Sequence, residues 1–417
     1  MAKFRNERAL PRIRNIELSD KNTKLRLILA AVLLVVGMVA IALGVNSCVS
    51  AQVGWQEVQV SSEKRNCSQD FVCNFYFGGA GMDATLERRQ VVECYSRGAE
   101  EAYEIFNTGM EDSSLGNLTR VNAHPNEAVT VEPGLYEALK LVAESGSRHV
   151  YLAPVYEEYN QIFQSDLEAL AAEYDPTKNP DQKAYLQRVA AFANDPAHVG
   201  VELVGSNQVK LFVSAEYLAF AGEYGITNYL DFGWMKNAFI IDFLARKLED
   251  AGHTNGYIAS FDGYTRNLDR RGQSYNFNLF DRLGNEVFMP ATLQYTQPIS
   301  IVFLRNYPMS GRDWVNYYSF SDGGIATALA DPADGMYKSA TDNLVAYSTD
   351  CSCARIALSV APLFIAENLD ETTLNALAAD GINSIWFKNQ TLFYNQKDVK
   401  LVIQETEGPK YTTELYE

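Results

Sequence analysis

The 417-residue chain is 47% hydrophobic and 12% aromatic, which excludes a disordered or low-complexity polypeptide and leaves room for one large or two modest domains. Its formal net charge is −17, and so acidic a balance argues against nucleic acid or an anionic membrane face as a partner. The charge is unevenly placed, and the first expected elements follow from that.

Residues 1–26 carry eight Lys/Arg (Lys3, Arg5, Arg8, Arg12, Arg14, Lys21, Lys24, Arg26) against Glu7, Glu17 and Asp20. Residues 27–45, LILAAVLLVVGMVAIALGV, hold no charge and no proline. That run is about long enough to cross a bilayer core as a helix. The basic arm stays cytoplasmic by the positive-inside rule, and everything after residue 46 lies outside. A cleaved signal peptide has a shorter arm and a shorter apolar run. Asn46 departs from a lipoprotein signal ahead of Cys48. The expectation is a cytoplasmic basic arm (1–26), a single plasma-membrane span (27–47), a tether (48–69) and an extracytoplasmic domain (70–417). Residues 46–417 keep 27 basic against 49 acidic residues, about −22.

The tether leads into strands at WQEVQV and FVCNFYFGG. Residues 84–106 read as a helix, and MEDSSLGNLTRVNAHPNEAVTV (110–131) as a turn-rich stretch in which His124 marks a turn before Pro125. Helices are expected at 133–145 and, with a polar interruption, across 165–195. VGVELVGSNQVKLFVS (199–214) alternates around GSN and predicts a hairpin. In LDFGWMKNAFIIDFLARKLEDAG (230–252) a strand end and a glycine turn precede an amphipathic helix. Ile240, Phe243, Leu244 and Leu248 share one face of it, Asp242 lies largely off that face, and Gly252 is its stop signal. Lys236 falls in its first turn, where free N–H groups already favour anions. GYIASF is a strand, 274–320 is rich in β-formers, helices are expected at 354–367 and 370–380, and short strands close the chain. The pattern is α+β.

Six cysteines are present: Cys48, Cys67, Cys73, Cys94, Cys351 and Cys353. Outside the membrane, disulfides are permitted. Cys67 and Cys73 flank SQDFV, a spacing that allows a small closed loop. Cys351 and Cys353 are too close for an easy mutual bridge and suit a distant partner such as Cys94. Four histidines and no CxxC argue against a zinc site.

Two stretches then resemble one family. EDSSLGNLTRVNAHPNEAVTVEPGLYEALKLVAES (111–145) is similar to the acidic-Ser-x-Leu-x-x-Leu/Val-Asn segment and following helix of the ApbE-like FAD:protein FMN transferases. YLDFGWMKNAFIIDFLARKLEDAGHTNGYIAS (229–260) is similar to their LDLGGIAKGYAADRLAELL segment. The resemblance runs over about residues 70–390 and implies a single ApbE-like, T-fold-related α+β domain. The family cleaves FAD and transfers FMN to a threonine of a partner protein. It holds the pyrophosphate with a divalent metal bound by an Ala-Asp-Ala-Leu-Ala-Thr pattern, whose carboxylate and hydroxyl share a helix face.

The resemblance implies that Lys236 meets the FAD phosphates, with Asp231, Gly233, Asp262 and Asp322 lining the site. The metal pattern maps onto STDCSCARIALSVA (348–361). In one register Arg355 and Ser359 replace the aspartate and threonine; in the other, Cys353 and Ala357 do. Neither keeps a carboxylate, and a guanidinium cannot ligate Mg²⁺. No Mg²⁺ is therefore expected, and Arg355 is expected to neutralise the pyrophosphate itself. Further departures are Asn237 for a glycine, Phe261 in SFDGYT and Ser319 for a histidine. Three functions stay open. One is an active FMN transferase. Another is a membrane-anchored flavin transferase-like protein that binds FAD or a related nucleotide without transferring it. The third is a non-enzymatic, partner-binding subunit of a membrane complex on the same fold, for which 24 tyrosines supply interface-forming side chains.

Overall fold

Strict alternation in FVCNFYF buries Phe71, Cys73, Phe75 and Phe77 and leaves the residues between them half-buried, so this segment forms a strand with one face on a core. The structure is a computed structural model and describes residues 28, 32–34, 37, 38, 52–79, 83–110, 115–404 and 408–416. The chain divides into two compact units, residues 1–52 and 53–417. In the first, residues 28, 32–34, 37 and 38 are helical, and Ile28, Val32, Leu33, Leu34 and Met38 are each more than 50% exposed. The basic arm and most of the expected span lie outside the described residues. Among the described residues no helix is long and apolar enough to cross a membrane.

The strands of the second unit are β1 (Gly54–Glu57), β2 (Phe71–Phe77), β3 (Ala128–Thr130), β4 (Val199–Gly205), β5 (Gln208–Val213), β6 (Gly256–Ser260), β7 (Tyr264–Asn267), β8 (Tyr275–Leu283), β9 (Glu286–Tyr295), β10 (Ile299–Arg305), β11 (Tyr317–Ser319), β12 (Ile325–Thr327), β13 (Asn343–Ser348), β14 (Asn383–Lys388), β15 (Thr391–Tyr394), β16 (Lys400–Ile403) and β17 (Thr412–Leu415). The helices are α1 (Ala84–Phe106), α2 (Leu118–Ala123), α3 (Pro133–Ser145), α4 (Ala153–Phe163), α5 (Glu168–Tyr174), α6 (Pro180–Asn194), α7 (Ala215–Tyr224), α8 (Lys236–Asp250), α9 (Cys353–Phe364) and α10 (Glu371–Ala376).

Nine strands in the order β1-β2-β6-β7-β10-β13-β14-β15-β17 form the main sheet, antiparallel except where β15 meets β17. Every residue of β10 and β13 is buried, so both faces of the sheet centre are covered. Ile299, Ile301 and Phe303 of β10, with Val345 and Tyr347 of β13, meet Leu279, Ala291 and Leu293 of a three-stranded sheet ordered β16-β9-β8. The opposite parity lies beneath α8 and α9, and α1 packs against α8 and β2. The buried side chains contribute about 1.5–3 kcal/mol each.

The expected boundaries hold where local chemistry sets them. The Asp83 carboxylate accepts from Thr85 and Leu86 N–H and starts α1. Gly146 ends α3 at φ +68. Gly252 N–H to Glu249 and His253 N–H to Leu248 close α8. Three helices lie where none was expected: α2 inside the turn-rich stretch, α4 after α3, and α7 after the hairpin. The strand expected at WQEVQV, inside the stretch bounded as the tether, is the edge strand β1, Gly54–Glu57, with Trp55 packed edge-on against Tyr76 and Tyr275.

The cysteine pairings differ from expectation: all five described cysteines are free. Cys73 points into the β2 core, where burial pushes its thiol far up, and the Cys67 thiol is pushed up to about 12 for the same reason. Cys94 donates to the Lys247 carbonyl, Cys351 to Asp380 and Cys353 to Thr265. Cys48 lies outside the described residues.

Candidate functional site

The site is built around residues 229–237. The buried Asn122 carboxamide acts like a strand partner for this segment: it accepts from Tyr229 and Leu230 N–H at 2.9 and 3.0 Å and donates to the Leu230 carbonyl at 2.8 Å. Asp231 accepts from Gly233 N–H at 2.7 Å and from the Thr108 hydroxyl at 3.1 Å. This tightens a 3-10 turn, Gly233–Met235, that runs directly into α8. Gly233 sits at φ +53, and a Cβ there would lie 2.3 Å from the Tyr156 ring. The turn delivers Lys236 as the first residue of α8, a helix with no side-chain cap. Its ammonium donates to Asn107 Oδ1 at 2.8 Å.

The β6–β7 turn supplies a second wall. Gly263, at φ +113, approaches the Phe303 carbonyl so closely that a Cβ would stand 2.3 Å from it. This seats Asp262 over α8, where its Oδ2 accepts from Asn237 Nδ2 at 2.9 Å. Asp262 Oδ1 and Asn237 Oδ1 are both shielded from solvent without a hydrogen-bond partner. Burial raises the Asp262 carboxyl to about 6, against the Asn237 amide and the nearby Ser260 hydroxyl, which pull it down. Asp70 is also raised by burial, and the charge of Lys236 opposes that rise.

The third wall is the loop 306–316. Asp313, ion-paired with Arg305, accepts from Met309 N–H at 2.8 Å and Ser310 N–H at 2.6 Å. This anchor places the Arg312 guanidinium 4.0 Å over the Phe261 ring and leaves Trp314 56% exposed. The three walls enclose a cleft of about 1080 Å³.

Lys236, Asp231, Gly233 and Asp262 all line this cleft. Asp322, Arg355 and Ser359 do not. Asp322 sits in the exposed β11–β12 turn, where Lys178 approaches it at 2.6 Å. Arg355 is exposed and lines a separate hollow of about 250 Å³ with Asp242, Phe243 and Arg246. The Ser359 hydroxyl donates to the Arg355 carbonyl at 2.9 Å, so the two do share a helix face. In the other register Cys353 and Ala357 are fully buried. Asp242, read as lying largely off the packed face of its helix, accepts from Cys353 and Ala354 N–H at 3.0 and 2.8 Å and so caps α9. The sequence reading missed Asp70, Asn107 and Tyr156 as lining residues. Asn122, also not singled out, lies within the quoted segment 111–145.

No family model matches the chain, and no curated protein does. Among solved structures the chain is similar to the ApbE protein of Thermotoga maritima, with a TM-score of 0.54 and 10% identity over 84% of this chain and 97% of that one. A point variant of the flavin transferase ApbE of Vibrio cholerae gives a TM-score of 0.47 and 13% identity over 80% and 92%. The first likeness spans nearly the whole of the other protein, and the chain has an ApbE-like fold.

Proposed function

We propose that the cleft binds FAD or a related dinucleotide, in a flavin transferase-like protein held at the plasma membrane by residues 27–47. The carrying observation is the cleft itself: about 1080 Å³, in an ApbE-like fold, with Lys236 on its wall. Small-ligand sites span about 300–1,000 Å³, so this one has room for a dinucleotide. The similarity of 111–145 and 229–260 to the FAD:protein FMN transferases supports the choice of ligand.

Each wall has a task in this reading. Lys236 offsets pyrophosphate charge, with Arg312 as a second cation at the rim. Phe261 and Trp314 offer faces to a planar ring. The cleft also carries Asp70 and Glu157, so an anionic ligand depends strongly on its few cations.

The family's divalent metal does not fit the residues present. Among the described residues no three His, Cys, Asp or Glu side chains are grouped to hold an ion. Arg355 and Ser359, at the metal pattern's positions, stand outside the cleft. The closed start of α9 favours the second reading to that extent: a non-enzymatic subunit of a membrane complex. For the anchor, the support is the uncharged run 27–45 and its exposed apolar helical positions.

The test is a titration of the full chain in nanodiscs with FAD, FMN and AMP, read by flavin quenching or calorimetry, with and without Mg²⁺. Saturable FAD binding that ignores Mg²⁺ is expected. No FAD binding at millimolar ligand contradicts the reading. Extraction by detergent but not by alkaline carbonate checks the anchor.

A further inference from the structure

The three-stranded sheet β16-β9-β8 crosses the main sheet: Phe280 of β8 meets Phe303 of β10, while Tyr275 at the start of β8 reaches Tyr257 of β6 and Trp55 of β1. β8 is its last strand, paired with β9 alone among the described residues. Beside β8, the rest of that face of β6 and β7 forms the floor of a groove of about 540 Å³. Tyr257, Ala259 and Thr265 point up from that floor, and Phe277, Phe280 and Phe303 line its β8 side. Stacked sheets lie about 10 Å apart and paired strands about 4.8 Å apart. The groove is therefore where a fourth strand beside β8 would sit.

Edge strands are normally blunted by charge, proline or a bulge. The first part of β8, Tyr275-Asn276-Phe277-Asn278-Leu279, has neither charge nor proline. The register shift comes only after Leu279. The edge is thus regular and unprotected for five residues, beside the floor of Tyr257, Ala259 and Thr265. We propose that this edge docks an extended segment of a partner polypeptide, which adds a strand to β8 and turns alternate apolar side chains onto Tyr257, Ala259 and Phe303.

Two observations select this occupant. A row of unpaired main-chain groups is complementary to another extended backbone and gives a small apolar ligand nothing to match. Among the described residues the only charges lining the groove, Arg305 and Asp313, are ion-paired with each other, so the segment is uncharged where it contacts the floor. Phe261 and Asp313 line both the groove and the large cleft, so the docked strand ends beside the cleft rim. The docking goes beyond the flavin reading and stands whether or not the cleft holds flavin.

The test uses the full chain in nanodiscs, without FAD. The probe is a blocked heptapeptide of alternating threonine and valine, and its control is the same peptide N-methylated at every peptide nitrogen. Saturable binding of the probe is expected, weakened about ten-fold or more by N-methylation, which removes donors and keeps the side chains. Ala259→Arg, which fills the floor, is expected to weaken binding as much, and Val287→Arg, on β9, to leave it unchanged. FAD binding by the Ala259→Arg protein, measured separately, reports on the cleft and not on the groove. If that variant does not fold, the N-methylated control on the native chain still decides. No binding at millimolar peptide overturns the proposal, as does equal binding of both peptides. Concentration-dependent dimerisation abolished by Ala259→Arg assigns the groove to a second copy and also overturns it.

Discussion

α8 and α9 pack side by side against the same sheet, yet their first turns meet different surroundings. At α9 the free N–H groups are already used: Asp242 takes those of Cys353 and Ala354, and the Ser352 hydroxyl takes that of Arg355. At α8 no side chain caps the helix, and its first residue is Lys236, facing the large cleft. A helix start favours an anion. In α9 a resident carboxylate fills that role; α8 instead continues the 3-10 turn Gly233–Met235, with Lys236 N–H bonded to the Gly233 carbonyl and Gly233 N–H held by Asp231, so what it turns toward the cleft is the Lys236 side chain. The family's metal pattern maps onto the helix start that lies outside the cleft, and its lysine onto the one that borders it. Which side chains meet in a cleft is thus set by the fold, more than by where a motif falls along the chain.

The largest effect should come from opening the closed start. Asp242→Ala removes the acceptor of two buried N–H groups and should lower the unfolding free energy by about 3 kcal/mol, measured in urea. A loss below about 1 kcal/mol would mean that α9 does not depend on this cap. Next, Gly233→Ala drives a Cβ into the Tyr156 ring at a positive φ and should cost about 2 kcal/mol, together with FAD binding. An unchanged melting temperature would show that the turn before α8 can relax.

A third prediction concerns pH. Burial raises Asp262 to about 6, above the value of about 3.9 in an unfolded chain. The folded protein holds this proton more tightly, so the stabilisation is complete below about pH 4 and lost as pH rises through about 6. Asp262→Asn keeps the shape and removes the titration. The stability difference between native protein and variant should therefore change by on the order of 2 kcal/mol between pH 4 and pH 7. A difference that is flat with pH contradicts the burial of this carboxyl. The smallest effect belongs to Arg355→Ala. The side chain is exposed, and stability should stay within about 0.5 kcal/mol in the same urea titration.

What could be read from the sequence follows the same division between local and distant causes. α1 and α3 were legible to the residue because Asp83, Pro133 and Gly146 are local signals. β2 was legible because its alternation is strict. Lys236, Asp231, Gly233 and Asp262 were placed together by a resemblance whose segments keep their order. α4 was missed because its stripe is built from Tyr156, Tyr159 and Phe163 amid polar neighbours, and its burial depends on contacts such as Tyr159 with the Gly335 carbonyl. Asp322 was misplaced because the β11–β12 turn is fixed by Lys178 and Glu168, residues from another part of the chain. The free cysteines follow from side-chain direction in strands and helices, which spacing alone does not give. The edge of β8 could be recognised only once the end of its sheet was known.

The most direct test of the account compares the two helix starts as ligand sites. FAD is titrated into the native full chain, Lys236→Ala and Arg355→Ala, all in nanodiscs at one ionic strength. Loss of a charge-assisted phosphate contact costs about 1.5–3 kcal/mol, so Lys236→Ala should weaken FAD binding about ten-fold or more while Arg355→Ala leaves it unchanged. Equal weakening by both, or weakening by Arg355→Ala alone, would place the phosphates at α9 and contradict the assignment of the cleft.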